Sequence, residues 1–378
     1  MQAIKADVLY DGTGAAAKKG VYIIYEAGRV VRVSRSRPGC EVVASGTVTP
    51  AFVDGHAHIG LARSGEPSSE DEANEQMGPM LPMVNALDSV YMDDAAFRDS
   101  VDHGILYSHV MPGSGNIIGG RTALIRNFAS DIEDAYIMQP GIKAALGYNP
   151  RSTTSWKGER PHTRMGAISI LRNELMKARK AKELIAQGKR IRAEIEPQTE
   201  AMMEILDGER VLMVHVHKED DIVNLIKLRS EFGFRAVINH AVDVHSPAIW
   251  QKVAAAGLDV IYGPLDAFAY KVELKHENWR NARFLMQSGV RFGLMTDHPV
   301  ILQRNLFLQL RFFLRLDLSR ERSVALVSGE TASILGVPDI GTLKPGSMAS
   351  MIVWDGDPFH LSSSPSAVVA EGKIVSEG

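Results

Sequence analysis

Several histidines and one aspartate that follow apolar runs are the residues of this sequence best suited to chemistry. His56 and His58 come directly after an apolar run that ends in Asp54-Gly55. Side chains two positions apart on a strand share one face, so both imidazoles can reach one metal ion. An H-x-H pair also occurs in exposed loops, but the C-terminal ends of strands hold the active site in a (β/α)₈ barrel. The pair is therefore a candidate metal site.

His215, His240 and Asp297 each close a further apolar run. Histidine or aspartate at the mouths of four strands is hard to explain by packing, although a single strand-end histidine often only caps a neighbouring carbonyl. Taken together in chain order, these residues predict one metal centre built from several strand ends. His217 shares a face with His215 and is a rival ligand.

The middle of the chain alternates short apolar strands with helices, which is typical of parallel βα units. The eight predicted strands are 48–56, 104–110, either 122–125 or 135–138, 142–147, 211–217, 236–240, 258–263 and 291–296. Helices are predicted over about 164–187, over 219–231 and from about 246 onwards. The pattern predicts an α/β protein with a (β/α)₈ TIM barrel.

Both ends of the chain have a different pattern, that of short β-hairpins. The predicted strands there are 4–10, 21–25, 30–33, 351–354 and a hairpin within 367–375. We expect residues 1–50 and 340–378 to form a small β-sandwich domain, and residues 51–339 to form the barrel. The length of 378 residues suits this division, since a barrel takes about 250 residues and leaves a smaller module.

Composition narrows the classes of function. A hydrophobic fraction of 45% and a net charge of -3 are ordinary for a globular protein and offer no basic surface for nucleic acid or anionic membranes. Cys40 is the single cysteine, so a disulfide framework and a thiolate zinc cluster are excluded. No signal-peptide pattern and no apolar run of about 20 residues is present. We expect a cytoplasmic enzyme that acts on a small molecule, with a homodimer as the commonest default.

The chain resembles the amidohydrolase superfamily almost from end to end. The resemblance is carried by ADVLYDGTG at 6–14, TPAFVDGHAH at 49–58, INH at 238–240, TDH at 296–298, GTLKPG at 341–346 and WDGDP at 354–358. Each motif is loose, but their order is specific. The chain is most similar to imidazolonepropionase-like and prolidase-like branches, and residues 112–120 resemble a poorly characterised subgroup of them.

The resemblance implies a two-metal site in which His56, His58 and Asp297 bind one ion, and His215 and His240 bind the second. Among prolidase-like chains only the earlier strand-five histidine exists, so the spacing favours His215 over His217.

Many family members bridge the two ions with a carbamylated lysine on strand four, and Lys143 resembles that lysine. A charged lysine is costly to bury in an apolar strand, and carbamylation would make it an anionic ligand. The alternative is a lysine that extends its ammonium to the far end of the barrel. Similar proteins often carry an acidic residue where Tyr148 stands. Two ions are expected if Lys143 is carbamylated, and one if it is not.

Four residues are candidates for substrate binding: His217, His109, His162 and Arg164. Each could contact a carboxylate or carbonyl, although His109, His162 and Arg164 are equally compatible with solvated loops. His245, His298 and Arg121 are similar cases. The loops over 63–88 and 148–162 are expected to decide specificity.

Nitrogen and oxygen ligands without thiolate suit zinc first, and also iron, manganese or cobalt. Such an ion lowers the pKa of water and polarises a carbonyl. Asp297 would take the proton from that water and pass it to the leaving nitrogen. The predicted reaction is hydrolysis of an amide-type C–N bond in a cyclic amide, an N-acyl amino acid or an Xaa-Pro-like dipeptide.

Three alternatives remain open from the sequence. Deaminase-like relatives carry a glutamate three residues after the strand-five histidine, where this chain has Lys218, but Glu219 and Asp220 lie close by. Hydrolysis of aryl esters or phosphotriesters would use the same activated water. A metal-free barrel that serves as a binding or assembly protein is the third, and the retained ligand set argues against it.

Overall fold

The computed structural model describes residues 1–152 and 159–378, and strands alternate with helices through most of that range. The strands are β1 (Gln2–Leu9), β2 (Lys18–Glu26), β3 (Arg29–Ser34), β4 (Glu41–Pro50), β5 (Phe52–Ala57), β6 (Ile105–Val110), β7 (Ile118–Arg121), β8 (Ala123–Arg126), β9 (Tyr136–Met138), β10 (Gly141–Ala145), β11 (Val211–Val216), β12 (Ala236–His240), β13 (Asp259–Tyr262), β14 (Phe292–Leu294), β15 (Met351–Trp354), β16 (Pro365–Ala370) and β17 (Lys373–Glu377). The α-helices are α1 (Ala95–Asp102), α2 (Ile132–Ala135), α3 (Asn149–Ser152), α4 (Arg164–Ala186), α5 (Pro197–Leu206), α6 (Glu219–Phe232), α7 (Pro247–Ala255), α8 (Ala282–Gln287), α9 (Leu310–Leu314), α10 (Arg320–Leu326) and α11 (Gly329–Ile334). Short 3₁₀ turns lie at Ser68–Glu70, Ala86–Asp88, Arg192–Glu194, Val272–Leu274, Trp279–Asn281, Gln303–Asn305 and Phe307–Gln309.

Strands from both ends of the chain form one sheet in the order β17-β16-β15-β4-β1-β2-β3. The two ends meet where β15 pairs antiparallel with β4, which itself runs parallel to β1. Alternate residues such as Ile4, Ile23, Val48 and Val353 are buried together, so one face of the sheet has its own apolar core. The small β unit that we expected from both termini is thus a single hydrogen-bonded sheet, and the division into domains stays a prediction.

The central sheet has the order β14-β13-β12-β11-β10-β7, and β10 to β14 are parallel as predicted. Parallel pairing places the carboxyl ends of these strands side by side. In this register Ala145 lies opposite His215, and Val216 lies opposite His240. The sheet therefore brings two candidate ligands to one edge without any contribution from a loop.

The third strand of the predicted barrel was expected to be parallel to its neighbours, and the structure differs there. Both segments between which the sequence left the choice are strands, but β8 pairs antiparallel with β6, and β9 with β8. Just before β8, strand β7 pairs antiparallel with β10, so the segment 118–126 connects the two sheets. On the other side, Asp297 N donates to His56 O at 2.9 Å, next to the ends of β14 and β5. The two sheets together therefore resemble a barrel in which the third strand, β8, runs antiparallel to its neighbour β6.

The helices that carry clear sequence signals lie where they were predicted. Helix α4 begins after Thr163, whose hydroxyl caps Gly166 N, and it buries residues at helical spacing such as Leu171 and Leu175. Helix α7 begins after the capping residue Ser246 with a proline in its first turn. Among the described residues, no helix is both long and apolar enough to cross a bilayer.

Candidate metal centre

The strand ends bring together a set of buried side chains that we call the central cluster: His56, His58, Lys143, His215, His217, His240 and Asp297. It contains two groups of metal-binding side chains, and in each group one ligand atom from every residue lies within 4.8 Å of the others. The first group is His56, His58 and Asp297, and the second is His215, His217 and His240. Ring centroids of His240 lie 4.9 Å from His56 and 4.3 Å from His215, so the two groups adjoin.

One carboxylate organises the first group. Asp297 Oδ1 lies 3.1 Å from His58 Nε2 and 3.3 Å from His56 Nε2. Asp297 has φ 53° and His240 has φ 80°, the left-handed region that non-glycine residues rarely adopt. Such backbone strain clusters at functional sites because the surrounding structure must maintain it. His240 ends β12 and Asp297 follows β14, so both strained residues lie where a strand ends at the central cluster.

Lys143 points into the central cluster. Its Nζ lies 3.1 Å from His56 Nε2 and donates to Pro112 O at 3.0 Å, and the side chain is fully buried. It does not extend to the far end of the barrel. Burial lowers the pKa of Lys143 to about 7, against the attraction of Asp297. A large share of the amine is therefore uncharged near neutral pH.

In two histidines of the central cluster, one ring nitrogen hydrogen-bonds to a backbone carbonyl and the other is left with its lone pair. His58 Nδ1 lies 2.7 Å from Met111 O, and His240 Nδ1 lies 2.9 Å from Gly263 O. A carbonyl accepts only, so both Nδ1 atoms carry the proton and each Nε2 keeps its lone pair. Burial lowers the pKa of His240 well below its usual value, as it does for His56 and His215, so these rings are neutral.

Four ring nitrogens of the central cluster are buried without a hydrogen-bond partner among the described residues: His56 Nδ1, His215 Nδ1, His217 Nδ1 and His240 Nε2. An unpaired buried polar atom costs about 1–3 kcal/mol. The chemistry of the set, neutral imidazoles around a carboxylate, suits a divalent ion. These residues therefore fit a metal centre.

Glu273 is a buried carboxylate of this site that the sequence analysis missed. Its Oε1 lies 3.2 Å from His215 Nε2 and 3.9 Å from His217 Nε2, and Lys271 Nζ lies 3.2 Å away. Its Oε2 accepts from Tyr148 N at 3.1 Å. Glu273 lies in the long connection after β13, outside any strand, and the one available signal was its place in a loop at the carboxyl edge of the sheet.

A second unpredicted carboxylate, Asp54, lies beneath the first group. It is fully buried and accepts from Thr296 N at 3.0 Å, from Gln303 Nε2 at 2.9 Å and from the Thr296 hydroxyl. Burial raises the pKa of Asp54 to about 6, although these hydrogen bonds oppose the rise. Asp54 joins β5 to the segment after β14 and so holds His56 beside Asp297.

His109 corrects one substrate-binding prediction. The side chain is fully buried on β6, its Nδ1 lies 3.1 Å from Gly55 O, and its Nε2 lies 2.7 Å from Thr122 Oγ1. Burial lowers the pKa of His109 to about 3. With both nitrogens engaged, His109 ties strands together under the mouth and has no nitrogen left for a substrate.

The other two predicted loop residues lie outside the central cluster. Arg164 begins α4 and pairs with Asp221, with Nε 2.7 Å from Oδ1, so its charge is already partnered. His162 is exposed just before that helix. Residues 153–158 of the predicted specificity loop lie outside the described residues. His217, by contrast, lies inside the central cluster, with its ring centroid 4.7 Å from that of His240.

Comparisons with known proteins identify the family of this chain. Residues 192–376 match the model of the amidohydrolase family. The solved structure of an amidohydrolase from Thermotoga maritima MSB8 is 30% identical, covers 100% of both chains and has a TM-score of 0.92. The chain therefore belongs to the amidohydrolase family, whose members are hydrolases with a TIM-barrel-like α/β domain and are typically metal-dependent.

Two further relatives are more distant. Amidohydrolase tasK from Hapsidospora irregularis is 23% identical over 387 residues, which is 93% of this chain but 39% of that protein. This chain thus spans about two fifths of the length of that curated relative. A prolidase complexed with N-methylphosphonate-L-proline covers 100% of both chains at 14% identity and a TM-score of 0.65, a likeness of fold alone.

Proposed function

We propose that this protein is a metal-dependent hydrolase that cleaves an amide-type C–N bond. The observation that carries the proposal is the central cluster, in which two groups of three buried side chains could each hold a metal ion and Asp297 Oδ1 lies 3.1 Å from His58 Nε2 and 3.3 Å from His56 Nε2. Membership of the amidohydrolase family supports it. The substrate classes that we propose are cyclic amides, N-acyl amino acids and Xaa-Pro-like dipeptides, the last supported by the prolidase of similar fold.

The central cluster divides into ligands for one ion or two. His56, His58 and Asp297 would hold the first ion, and His215 and His240 the second, with His217 as a rival for His215. Zinc is our first expectation for this nitrogen and oxygen set. When bound, such an ion supplies Lewis acidity, which lowers the pKa of water towards 7 and polarises a carbonyl.

Lys143 would connect the two groups. An amine adds carbon dioxide only in its uncharged form, and the lowered pKa of about 7 provides that form at neutral pH. The product carbamate would present anionic oxygens in place of the ammonium that now lies 3.1 Å from His56 Nε2. We propose two ions with carbamylated Lys143, and one ion without it.

Asp297 would carry the proton during turnover. Burial by itself would raise the pKa of Asp297, but its electrostatic interactions with His240 and Lys143 and its hydrogen bond with His58 lower it overall to about 2. The carboxylate is therefore ionised at neutral pH and can accept a proton from a water at the site. It would then donate that proton to the leaving nitrogen, as a general base and acid in turn.

A small cavity beside Asp297 and His217 supports a small substrate. Its lining combines apolar Val242, Leu274 and Val300 with the charged side chains of Lys271 and Glu277. Lys271 already pairs with Glu273, so the apolar walls are what favours a compact side chain or ring, as in small N-acyl amino acids and dipeptides. Deamination gains no similar support, because the Glu219 carboxylate accepts from His245 N at 3.1 Å, and His245 lies outside the central cluster.

The test combines metal analysis with a substrate screen. We expect the purified protein to carry at least one equivalent of zinc or a similar ion, and to hydrolyse one of the three substrate classes. A chelator should abolish that turnover, and Zn²⁺ should restore it. Folded protein that takes up no metal and hydrolyses none of these substrates would instead indicate a binding protein.

A further inference from the structure

A second group of histidines and carboxylates lies outside the central cluster, and we call Glu219, Asp243, His245 and His276 the outer cluster. One ligand atom from each of Asp243, His245 and His276 lies within 4.8 Å of the other two, the same proximity as in the central groups. The rings of His245 and His276 have centroids 4.4 Å apart. We propose that the outer cluster is a second, structural site for a divalent ion of the zinc class.

Asp243 is the fixed point of the outer cluster. Its side chain is 3% exposed, and its carboxylate accepts from His276 N. The other oxygen, Oδ2, lies 3.4 Å from His276 Nδ1, beyond the usual range of about 2.7–3.2 Å for a hydrogen bond to nitrogen. A buried carboxylate needs a positive charge nearby. An ion between Asp243 and His276 would supply that charge.

His245 presents a nitrogen for the same ion. Its Nδ1 lies 2.9 Å from the carbonyl oxygen of Asp243, so Nδ1 carries the proton and Nε2 keeps the lone pair. A carbonyl that holds Nδ1 and so sets the tautomer is the usual support of a metal-binding histidine. Glu219 Oε1 lies 3.6 Å from His245 Nδ1, on the proton-bearing side of the ring, where it would help to orient His245.

The outer cluster must contract slightly to bind. Ligand atoms of a tetrahedral zinc ion lie about 3.3 Å apart, as follows from zinc–nitrogen distances of about 2.0 Å. The side chains of His245 and His276 are each 44% exposed, so their rings can rotate towards Asp243 without disturbing the core. The donor set of two imidazoles and one carboxylate suits Zn²⁺ better than Ca²⁺ or Mg²⁺.

The position of the outer cluster indicates its role. Asp243 and His245 follow β12, whereas His276 lies in the connection between β13 and α8. That same connection carries Glu273, whose Oε1 lies 3.2 Å from His215 Nε2. An ion at the outer cluster would cross-link two loops at the carboxyl edge of the sheet. It would thereby hold Glu273 against His215.

Zinc stoichiometry of the full-length protein tests this site. The variant is H245A/H276A, and the matched control is H103A, since the His103 side chain is 45% exposed directly after α1, in an ordinary pair with Asp99. After dialysis against Zn²⁺, we expect the double variant to retain one equivalent fewer than wild type, and H103A to equal wild type. Equal stoichiometry in wild type and H245A/H276A would overturn the proposal, as would the same loss in H103A.

A second variant guards against misfolding. D243N keeps the side-chain volume but removes the charge, and we expect the Kd of the outer zinc equivalent to rise at least 10-fold, with an unchanged circular dichroism spectrum. An unchanged Kd would overturn the proposal. Failure of the proposed function is distinguishable, because a protein without a central metal would still bind one zinc ion in wild type and none in H245A/H276A.

Discussion

The central and outer clusters use the same types of side chain in opposite surroundings. His56, His58, His215 and His217 of the central cluster have side chains at most 11% exposed, whereas those of His245 and His276 in the outer cluster are 44% exposed. Burial keeps the central histidines neutral, holds their tautomers by backbone carbonyls and leaves nitrogens unpaired. The outer histidines keep solvent as an alternative partner.

The difference indicates how each cluster would respond to a metal ion. The central cluster is preorganised, so little rearrangement is needed at binding, and its free energy of folding already includes the cost of unpaired nitrogens. The outer cluster must move its rings and lose rotamer freedom. Tight binding is therefore expected at the centre and weaker binding outside. The predictions below test that contrast.

Replacement of Asp297 by asparagine should have the largest effect. The amide keeps the shape and one oxygen but cannot carry the proton, so we expect kcat/KM to fall by about 10²–10⁴-fold. Metal content, measured on the same sample, should be largely retained. Asp7→Asn, at an exposed position of β1, is the control. Unchanged turnover in D297N would refute the proton-carrying role.

Replacement of His215 by alanine should lower metal affinity more than about 100-fold. Loss of a residue that only hydrogen-bonds to a metal ligand already lowers metal affinity by about 10–100-fold. The matched variant H217A should lose less than about 10-fold. The Glu273 carboxylate holds His215 more closely than His217, since Glu273 Oε1 lies 3.2 Å from His215 Nε2 and 3.9 Å from His217 Nε2. Competition titrations with Zn²⁺ measure both. The opposite ranking would make His217 the ligand.

Metal-free protein should lose stability in mild acid because of its buried histidines. Burial lowers the folded pKa of His217 to about 4 and of His109 to about 3, from 6.5 when unfolded. The unfolded chain therefore binds more protons below pH 6.5, and the free energy of unfolding falls as pH drops from about 6.5 towards those values. Each group contributes up to about 1.4 kcal/mol per pH unit.

Urea unfolding at pH 7, 6 and 5 measures this slope. His109→Gln should reduce the slope by about one proton, because the buried ring that stays neutral in the folded state is removed. A slope equal to that of wild type in this variant would contradict the assignment.

Replacement of Glu273 by glutamine should have a smaller effect than replacement of His215. The amide keeps the volume but removes the charge beside His215 Nε2, so we expect metal affinity at the central cluster to fall about 10–100-fold. Glu231→Gln, an exposed partner of Arg172, is the control. Affinity equal to that of wild type would show that Glu273 serves only to pair Lys271.

The sequence by itself determined the features that depend on neighbours in the chain. The parallel strands around 211–216 and 236–240 follow from local apolar runs, and the His56 and His58 pair follows from the two-residue period of a strand. Because parallel strands end at one edge, the position of His240 near His215 could also be predicted.

Tertiary structure decided what depends on distant partners. The third strand position was predicted to be parallel, but the direction of β8 is set by its pairing with β6, which no local pattern encodes. His109 has the same strand-end pattern as His58, and only the Thr122 hydroxyl reveals that its nitrogens are occupied. Glu273 reaches His215 from a loop.

The outer cluster is the extreme case of this dependence. Asp243 and His245 lie two positions apart in the chain, but His276 joins them from a different strand connection. Neither segment has a metal-binding pattern of its own, since the ligand spacing exists only across the two loops. Local periodicity therefore determined the strands and the first histidine pair, and the packing of loops over the sheet decided which further side chains share a site.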